Sequence, residues 1–152
     1  YFKASLWALA QHFFQPRSTI HHYLGLAKNS FRKGLINEHE INIKKYFYVL
    51  RPLLAAMWIA DNKSAAPMTF PDLVSVLEPY PQIEKIVSDL WNQKLNLKEA
   101  DSIKMVPELN DFVQSQIVRC YTVADNTEEV ATKTDMLDAF FRMIIKTYNG
   151  DY

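Results

Sequence analysis

The chain has 152 residues, which is enough for one domain that buries its own core without disulfides or a structural metal. Apolar residues make up 49% and charged residues 22%, and lysine plus arginine balance aspartate plus glutamate at 17 each. A net charge of zero excludes a whole-molecule field that would attract nucleic acid or a membrane, so any anion site must be a local cluster.

The first two predicted helices lie on either side of Pro16. Residues 2–14 place four apolar side chains on one helical face, namely Phe2, Leu6, Leu9 and Phe13. Pro16 suits the first turn of the next helix and Gly34 suits its end. Between them an apolar line runs beside a polar face; the line is Ile20, Leu24, Ala27 and Phe31, and the face is His21, Gly25, Lys28 and Arg32.

A polar linker at residues 35–42 leads to a long helix at about residues 43–61. Most of this helix is apolar all round, which is typical of a buried element. At about 100° per residue, Lys44, Tyr48 and Arg51 fall within about 60° of one another. They form a cationic and aromatic stripe on a helix that is otherwise buried. Pro52 removes one helical hydrogen bond, which predicts a kink.

The remaining pattern is also helical. Thr69 is predicted to cap a short helix that reaches Leu77, and the next helix ends near Lys94. Pro107 opens a helix whose inward positions are Leu109, Phe112, Val113, Ile117 and Cys120. A last helix runs from about residue 136 to a stop at Gly150.

The fold class follows from these elements. No alternating strand pattern is longer than about four residues. We therefore predict an all-α fold, a single bundle-like helical domain of about six to seven helices over residues 1–152.

The cellular setting is predicted from three further features. Cys120 stands alone among apolar neighbours, which indicates a core thiol in a reducing, cytoplasmic setting. Arg51 and Pro52 interrupt the best apolar run before it reaches the roughly 18 residues of a membrane span, so no membrane partner is expected. Because the chain begins at Tyr1 without Met, we expect its start to lie upstream.

Two kinds of catalytic site are disfavoured. Nucleotidyl transfer needs paired acidic residues that hold metal ions about 3.5 to 4 Å apart. The nearest spacing is Glu38-x-Glu40, which has no predicted strand around it and no Gly-Ser turn before it. The histidines have no paired cysteines and no i, i+4 histidine partners. We therefore assign no catalytic residue and no metal ligand to this sequence.

Arg17 and His22 suggest a different chemistry. An arginine followed by a histidine near the start of a helix resembles the active-site motif of the HEPN family of helical ribonucleases. That resemblance implies acid–base work by His22 and phosphate binding by Arg17. Such a site requires both side chains to be exposed in a groove shared by a dimer.

Two basic faces on neighbouring helices form the strongest candidate for a binding site. Lys28 and Arg32 lie on one helix, and Lys44, Lys45 and Arg51 lie on the next. Facing each other across a helical hairpin, they would neutralise a triphosphate or an RNA backbone. Three tyrosines are available to stack on a base: Tyr23, Tyr46 and Tyr48.

A structural interpretation of the same cations stands beside this hypothesis. Lys44 and Lys45 are then ordinary solvated residues at a helix start, although positive charge there opposes the helix dipole. Arg51 then pairs with a carboxylate such as Glu38 or Asp89.

Two long blocks resemble a known family. They read HYLGLAKNSFR at residues 22–32 and KKYFYVLRPLLAAMWI at residues 44–59. These blocks are similar to those of predicted bacterial and phage nucleotidyltransferases of the DNA polymerase β superfamily, which include the RNA-ligase-associated polymerases. The flanking FFQP at residues 13–16 and PMTF at residues 67–70 also fit. The resemblance covers about residues 13–77.

The resemblance implies that catalysis and substrate contact belong to different regions of the complete protein. In that family the blocks lie in a helical region after a catalytic core, which carries a Gly-Ser turn and metal-binding aspartates. Neither motif is present in this sequence. It would therefore be a C-terminal, substrate-facing module, with Mg²⁺ and a nucleoside triphosphate bound mainly by an upstream catalytic domain. The acceptor would be RNA or another polyanion.

The residues that the resemblance carries over are the polar positions of the two blocks. The candidates for nucleotide or acceptor binding are His22, Tyr23, Lys28, Arg32, Lys44, Lys45, Tyr48 and Arg51. Two alternatives stay open. One is a HEPN-like ribonuclease or toxin-type domain that uses Arg17 and His22. The other is a non-catalytic interaction module, which would expose a contiguous apolar patch.

Overall fold

Helices dominate the computed structural model, which describes residues 2–36, 38–96, 102–131 and 133–149. Seven α-helices and one short strand pair are seen there, and 76% of the residues are helical, which confirms the all-α prediction. The elements are α1 (Phe2–His12), α2 (Pro16–Gly34), β1 (Glu40–Asn42), α3 (Ile43–Asn62), α4 (Phe70–Val74) with a 3₁₀ turn (Ser75–Leu77), α5 (Pro81–Asn96), β2 (Ser102–Lys104), α6 (Pro107–Asp125) and α7 (Asp135–Asn149). Tyr1, Asn37 of the linker and the predicted stop at Gly150 lie outside the described residues.

The chain divides into two compact units. Helices α1 and α7 belong to the first unit, and α2 to α6 with both strands belong to the second. The prediction of one domain that follows an upstream catalytic domain stays a prediction.

The second unit is built around the pair α2 and α3, and both helices also contact α6. The predicted apolar line of α2 is buried, with Ile20, Leu24 and Ala27 at 0% exposure. Helix α3 begins at a cap, because the Asn42 Oδ1 accepts a hydrogen bond from the Lys44 backbone N–H at 2.9 Å. It continues through Pro52 to Asn62, so the proline does not end the helix.

Thr69 caps α4 as predicted, because its hydroxyl accepts a hydrogen bond from the Asp72 backbone N–H. The linker prediction at residues 35–42 was incomplete. Glu40–Asn42 pairs with Ser102–Lys104 in antiparallel register, with Ile41 opposite Ile103. Ile41 is fully buried. A strand of three residues is too short for an alternating pattern to reveal, and its partner lies far away in the sequence.

Tyr46 was predicted to be available for stacking on a base, and this was wrong. The side chain is fully buried, and its hydroxyl donates to the Asn110 Oδ1 at 3.2 Å. The same hydroxyl accepts from the Val106 backbone N–H at 2.8 Å. Tyr46 therefore connects α3 to the beginning of α6, and burial raises the pKa of its phenol above the usual range.

Helix α6 is rotated slightly from its predicted orientation. Cys120 is buried as expected, but Ile117 is only half-buried while Gln116 is buried. The Gln116 amide is satisfied inside, since it donates to the Tyr80 hydroxyl at 3.3 Å and accepts from the Arg119 Nε at 2.7 Å. Hydrogen bonding of both amide atoms makes the burial of Gln116 acceptable.

The first unit keeps much of its apolar surface exposed. Phe2 of α1 packs against Phe140 and Tyr148 of α7, with ring centroids 6.1 and 6.4 Å away. Four apolar side chains on one side of α7 remain exposed: Leu137, Phe141, Ile145 and Tyr148. Within the described ranges, no helix has both the length and the apolar character needed to cross a bilayer.

Candidate functional site: a groove between α2 and α3

A groove of about 370 Å³ lies between α2 and α3 in the second unit. Helix α3 contributes Phe47, Tyr48, Arg51 and Pro52, and α2 contributes Tyr23, Leu26 and Ser30. The three residues of α2 lie at positions i, i+3 and i+7, so they share one flank of that helix. The groove therefore unites three of the predicted candidates, Tyr23, Tyr48 and Arg51.

The predicted stripe of α3 is exposed where it borders this groove. Tyr48 is 65% exposed and Arg51 is also exposed, whereas the apolar flanks beside them are buried. Lys44, at the beginning of the stripe, is half-buried, and Ala55, about one turn beyond Arg51, is buried. The part of the stripe that solvent or a ligand can reach is thus centred on Tyr48 and Arg51.

Arg51 does not pair with Glu38 or Asp89, the carboxylates that the sequence suggested. Its Nη2 donates to the backbone carbonyl of Met68 at 2.7 Å. In the described part of the protein no carboxylate forms an ion pair with Arg51. The guanidinium is therefore oriented by a neutral partner and has further N–H donors for an anion.

An aromatic cluster fixes one wall of the groove. The Phe47 ring lies edge-on to Phe70 and Trp91, with centroids 5.1 and 5.5 Å away, and Phe70 stacks on Trp91 at 4.8 Å. The Lys94 ammonium lies 4.7 Å from the Phe47 centroid and 4.8 Å from the Trp91 centroid. These contacts hold Phe47 in one orientation, because aromatic pairs and cation–π contacts are both geometrically specific.

Lys28 and Arg32 lie on the other flank of α2. They border a separate cavity of about 150 Å³ with Gly25 and Asn29, and Arg32 donates to the Asn29 Oδ1 at 3.3 Å. Counted along the helix, Lys28 is about 140° from Tyr23. The structure therefore does not bring these two cations into the groove with Arg51.

The side chain of Lys45 packs against the end of α2. A Cβ built on Gly34 would lie 3.2 Å from the Lys45 Cδ, which shows that the lysine stem packs closely on the last residue of α2. The last carbonyls of a helix carry a partial negative charge that favours a nearby cation. Lys45 thus packs against the end of α2, and it is not among the residues that line the groove.

The histidines lie on different sides of α2. His22 is exposed, with its ring 5.6 Å from the Tyr23 ring, and Arg17 is half-buried about 140° away around the helix axis. The His21 Nε2 lies 3.4 Å from the Asp125 Oδ1. Arg17 and His22 therefore do not converge within one protomer. Among the described residues, no group of three His, Cys, Asp or Glu side chains is arranged to hold a metal ion.

Four groove residues were not among the sequence candidates: Leu26, Ser30, Phe47 and Pro52. Lys94, which holds the Phe47 ring, was also missed. The α2 residues could have been found from their i, i+3, i+7 alignment with Tyr23. Lys94 could not, because its approach to Phe47 depends on how α5 packs.

Comparison with known proteins gives one family and one relative. The model of the family RlaP, described as "RNA repair pathway DNA polymerase beta family", matches residues 2–143. The uncharacterized protein YcgL of Bacillus subtilis (strain 168) is 31% identical over 134 residues, which cover 88% of this chain and 50% of that protein. The chain thus spans about half the length of the curated relative that it matches. No solved structure matches it significantly.

Proposed function

The chain belongs to the RNA repair pathway DNA polymerase beta family, and from this premise we propose that it is a helical, substrate-facing module of a nucleotidyltransferase. The reaction of such an enzyme transfers a nucleotidyl group from a nucleoside triphosphate to an acceptor hydroxyl and releases pyrophosphate. The observation that carries the proposal is the α2–α3 groove, in which Tyr48 and Arg51 are exposed side by side.

The position of this module relative to a catalytic core in the complete protein is also a proposal. The resemblance of the blocks at residues 22–32 and 44–59 implies that they follow a catalytic core, so we propose that this module lies after a core that carries the catalytic carboxylates. Mg²⁺ and the nucleoside triphosphate would bind mainly to that core. The described residues do not fit the metal, since no cluster of three possible ligands is present among them. We therefore assign the metal to no residue of this module.

The groove supports a contact with substrate for two physical reasons. An exposed tyrosine ring is a platform on which a nucleobase stacks without regard to sequence. A guanidinium beside it, oriented by a carbonyl and without a described carboxylate partner, is suited to phosphate oxygens. The acceptor is proposed to be RNA or another polyanion, because the same two groups serve a strand as well as a nucleotide.

Arg51→Gln in the complete protein is expected to raise the apparent KM for nucleotide or acceptor about tenfold or more. The loss of one charge-assisted hydrogen bond, worth about 1.5–3 kcal/mol, has this effect. The measurement is pyrophosphate release at varied nucleotide and acceptor concentrations. Tyr48→Ala should act in the same direction through lost stacking.

The matched control for this experiment is Arg142→Gln, the same chemical change at an exposed position of α7. Melting temperatures identify any variant that acts through stability. Unchanged kinetic constants in a stably folded Arg51→Gln protein would remove the support for a substrate contact at this groove.

A second candidate role, protein association, is favoured by the exposed apolar face of α7. Leu137, Phe141 and Ile145 follow one another at helical spacing and are 47%, 65% and 43% exposed. About half of the Bacillus subtilis relative lies outside the matched region, so that relative contains further polypeptide that such a face could pack against. We propose that the α7 face contacts that part of the complete protein.

Phe141→Glu tests this second role. In the complete protein we expect the melting temperature to fall by several degrees, because a charge would be buried in the contact. Lys146→Glu, which places the same side chain at another exposed position of α7, should change it little. Calorimetry of both variants makes the comparison, and equal melting temperatures would contradict the proposed contact.

A further inference from the structure

The charge of the α2–α3 groove limits what it can bind. Among the described residues that line it, Arg51 alone is charged. Lys28 and Arg32 border a different cavity, and the stem of Lys45 packs on Gly34. One guanidinium can pair with one phosphate in a bidentate manner, but it cannot neutralise a triphosphate. The groove thus differs from the polycationic cluster that the sequence suggested.

The volume and the lining of the groove suit a planar, largely apolar group beside that phosphate. Its volume of about 370 Å³ is at the lower end of the range for small-molecule sites, which is about 300–1,000 Å³. Leu26, Phe47 and Pro52 supply apolar walls, and Tyr48 supplies an exposed ring. Such a surface excludes water from a planar ring and stacks on it.

The polar atoms at the groove suit a nucleoside. Tyr23, Ser30 and Tyr48 belong to its lining, and each carries a hydroxyl that can both donate and accept a hydrogen bond. Nucleobases and ribose present donors and acceptors together, whereas a lipid tail or another hydrocarbon presents neither. Apolar walls with a few polar groups are the usual composition of sites for ligands of this kind.

We propose that the α2–α3 groove binds a nucleobase that carries a single phosphate, with the base stacked on Tyr48 and the phosphate on Arg51. This inference deepens the proposed function and rests on it for the assignment of nucleotide chemistry to this module. The ligand is either a free nucleoside monophosphate or the terminal nucleotide of a single strand. It is not the triphosphate consumed in the reaction.

Binding to the complete protein in EDTA tests the inference, because EDTA leaves metal-dependent sites elsewhere in the protein empty. The probes are 4-thiouridine, its 5′-monophosphate, its 5′-triphosphate and a 5′-phosphorylated tetramer of the same nucleotide. Their dissociation constants are measured by equilibrium dialysis. Photo-crosslinking then identifies the attachment site by peptide mapping.

We expect the monophosphate to bind about tenfold more tightly than the nucleoside, since it gains the charge-assisted contact with Arg51. The triphosphate should gain no more than about threefold over the monophosphate. The crosslink should map to the peptide that contains Tyr48. Arg51→Gln should abolish the difference between monophosphate and nucleoside, and Arg142→Gln should preserve it. A tetramer that binds more tightly than the monophosphate identifies a strand end, and equal affinities identify the free nucleotide.

Three outcomes overturn the inference. The first is a triphosphate that binds more than about threefold better than the monophosphate in an Arg51-dependent manner. The second is a monophosphate that binds no better than the nucleoside, and the third is the absence of a crosslink in the groove. The proposed function is judged separately by turnover. If Arg51→Gln impairs pyrophosphate release but no groove crosslink forms, the inference fails and the proposed function stands. If the crosslink forms but the turnover of Arg51→Gln is unchanged, the inference stands and the proposed function fails.

Discussion

Tyr46→Ala is expected to lower the free energy of unfolding by about 3–5 kcal/mol, the usual loss when a large buried aromatic side chain is removed. The side chain is fully buried in α3, and its hydroxyl takes part in two hydrogen bonds with α6 and the residue before it. The substitution therefore removes apolar contacts, opens a cavity and leaves two polar groups without a partner. Urea unfolding of the protein, followed by circular dichroism, measures the loss.

Tyr46→Phe separates the hydroxyl from the ring. It keeps the ring but leaves the Val106 N–H and the Asn110 side chain without their partner, which should cost about 1–3 kcal/mol. Tyr48→Ala is the matched control, because Tyr48 lies on the same helix, is 65% exposed and its loss should cost about 0.5 kcal/mol. A loss below about 1 kcal/mol for Tyr46→Ala would show that α3 and α6 do not depend on this contact.

The helices were predictable because their signals are local. Pro16 and Gly34 bound α2, and Pro107 opens α6, as the sequence indicated. The buried line of α2 follows from its periodicity alone. The β1–β2 pair was not predictable, because three residues carry no periodicity and the pairing joins distant parts of the sequence. Local pattern thus determines where helices form but not how short strands pair.

The candidate site was predictable only in part, for a related reason. Tyr48 and Arg51 lie three residues apart on one helix, so their shared exposure follows from helical geometry. Whether Lys28 and Arg32 face Arg51 depends on which flank of α2 is turned towards α3. The packing among α2, α3 and α6 determines which flank of α2 is turned towards α3. The sequence pattern of α2 alone does not predict that orientation. Tyr46 could have been excluded, since it lies about 200° from Tyr48 around α3.

Stability is expected to fall by about 2 kcal/mol between pH 9 and 11 because of Cys120 alone. The thiol is fully buried, and this burial raises its pKa from 9.0 to about 11, although the nearby Arg119 guanidinium opposes the rise. In the unfolded state the thiol ionises near its ordinary pKa, so above pH 9 unfolding releases a proton that the folded state retains. Each unit of pKa difference corresponds to about 1.4 kcal/mol, so the whole loss is about 3 kcal/mol, of which about 2 kcal/mol falls between pH 9 and 11.

The direction of this effect is fixed by the raised pKa. The contribution of Cys120 is complete well below pH 9, decreases as pH rises through 9 to 11, and is gone well above pH 11. The raised pKa of Tyr46 acts in the same direction at pH values above 10. Cys120→Ala isolates the thiol: the variant should be less stable at neutral pH because of the cavity, but its unfolding free energy should decline less steeply above pH 9. Parallel pH profiles for the two proteins would show that the buried thiol does not contribute to alkaline unfolding.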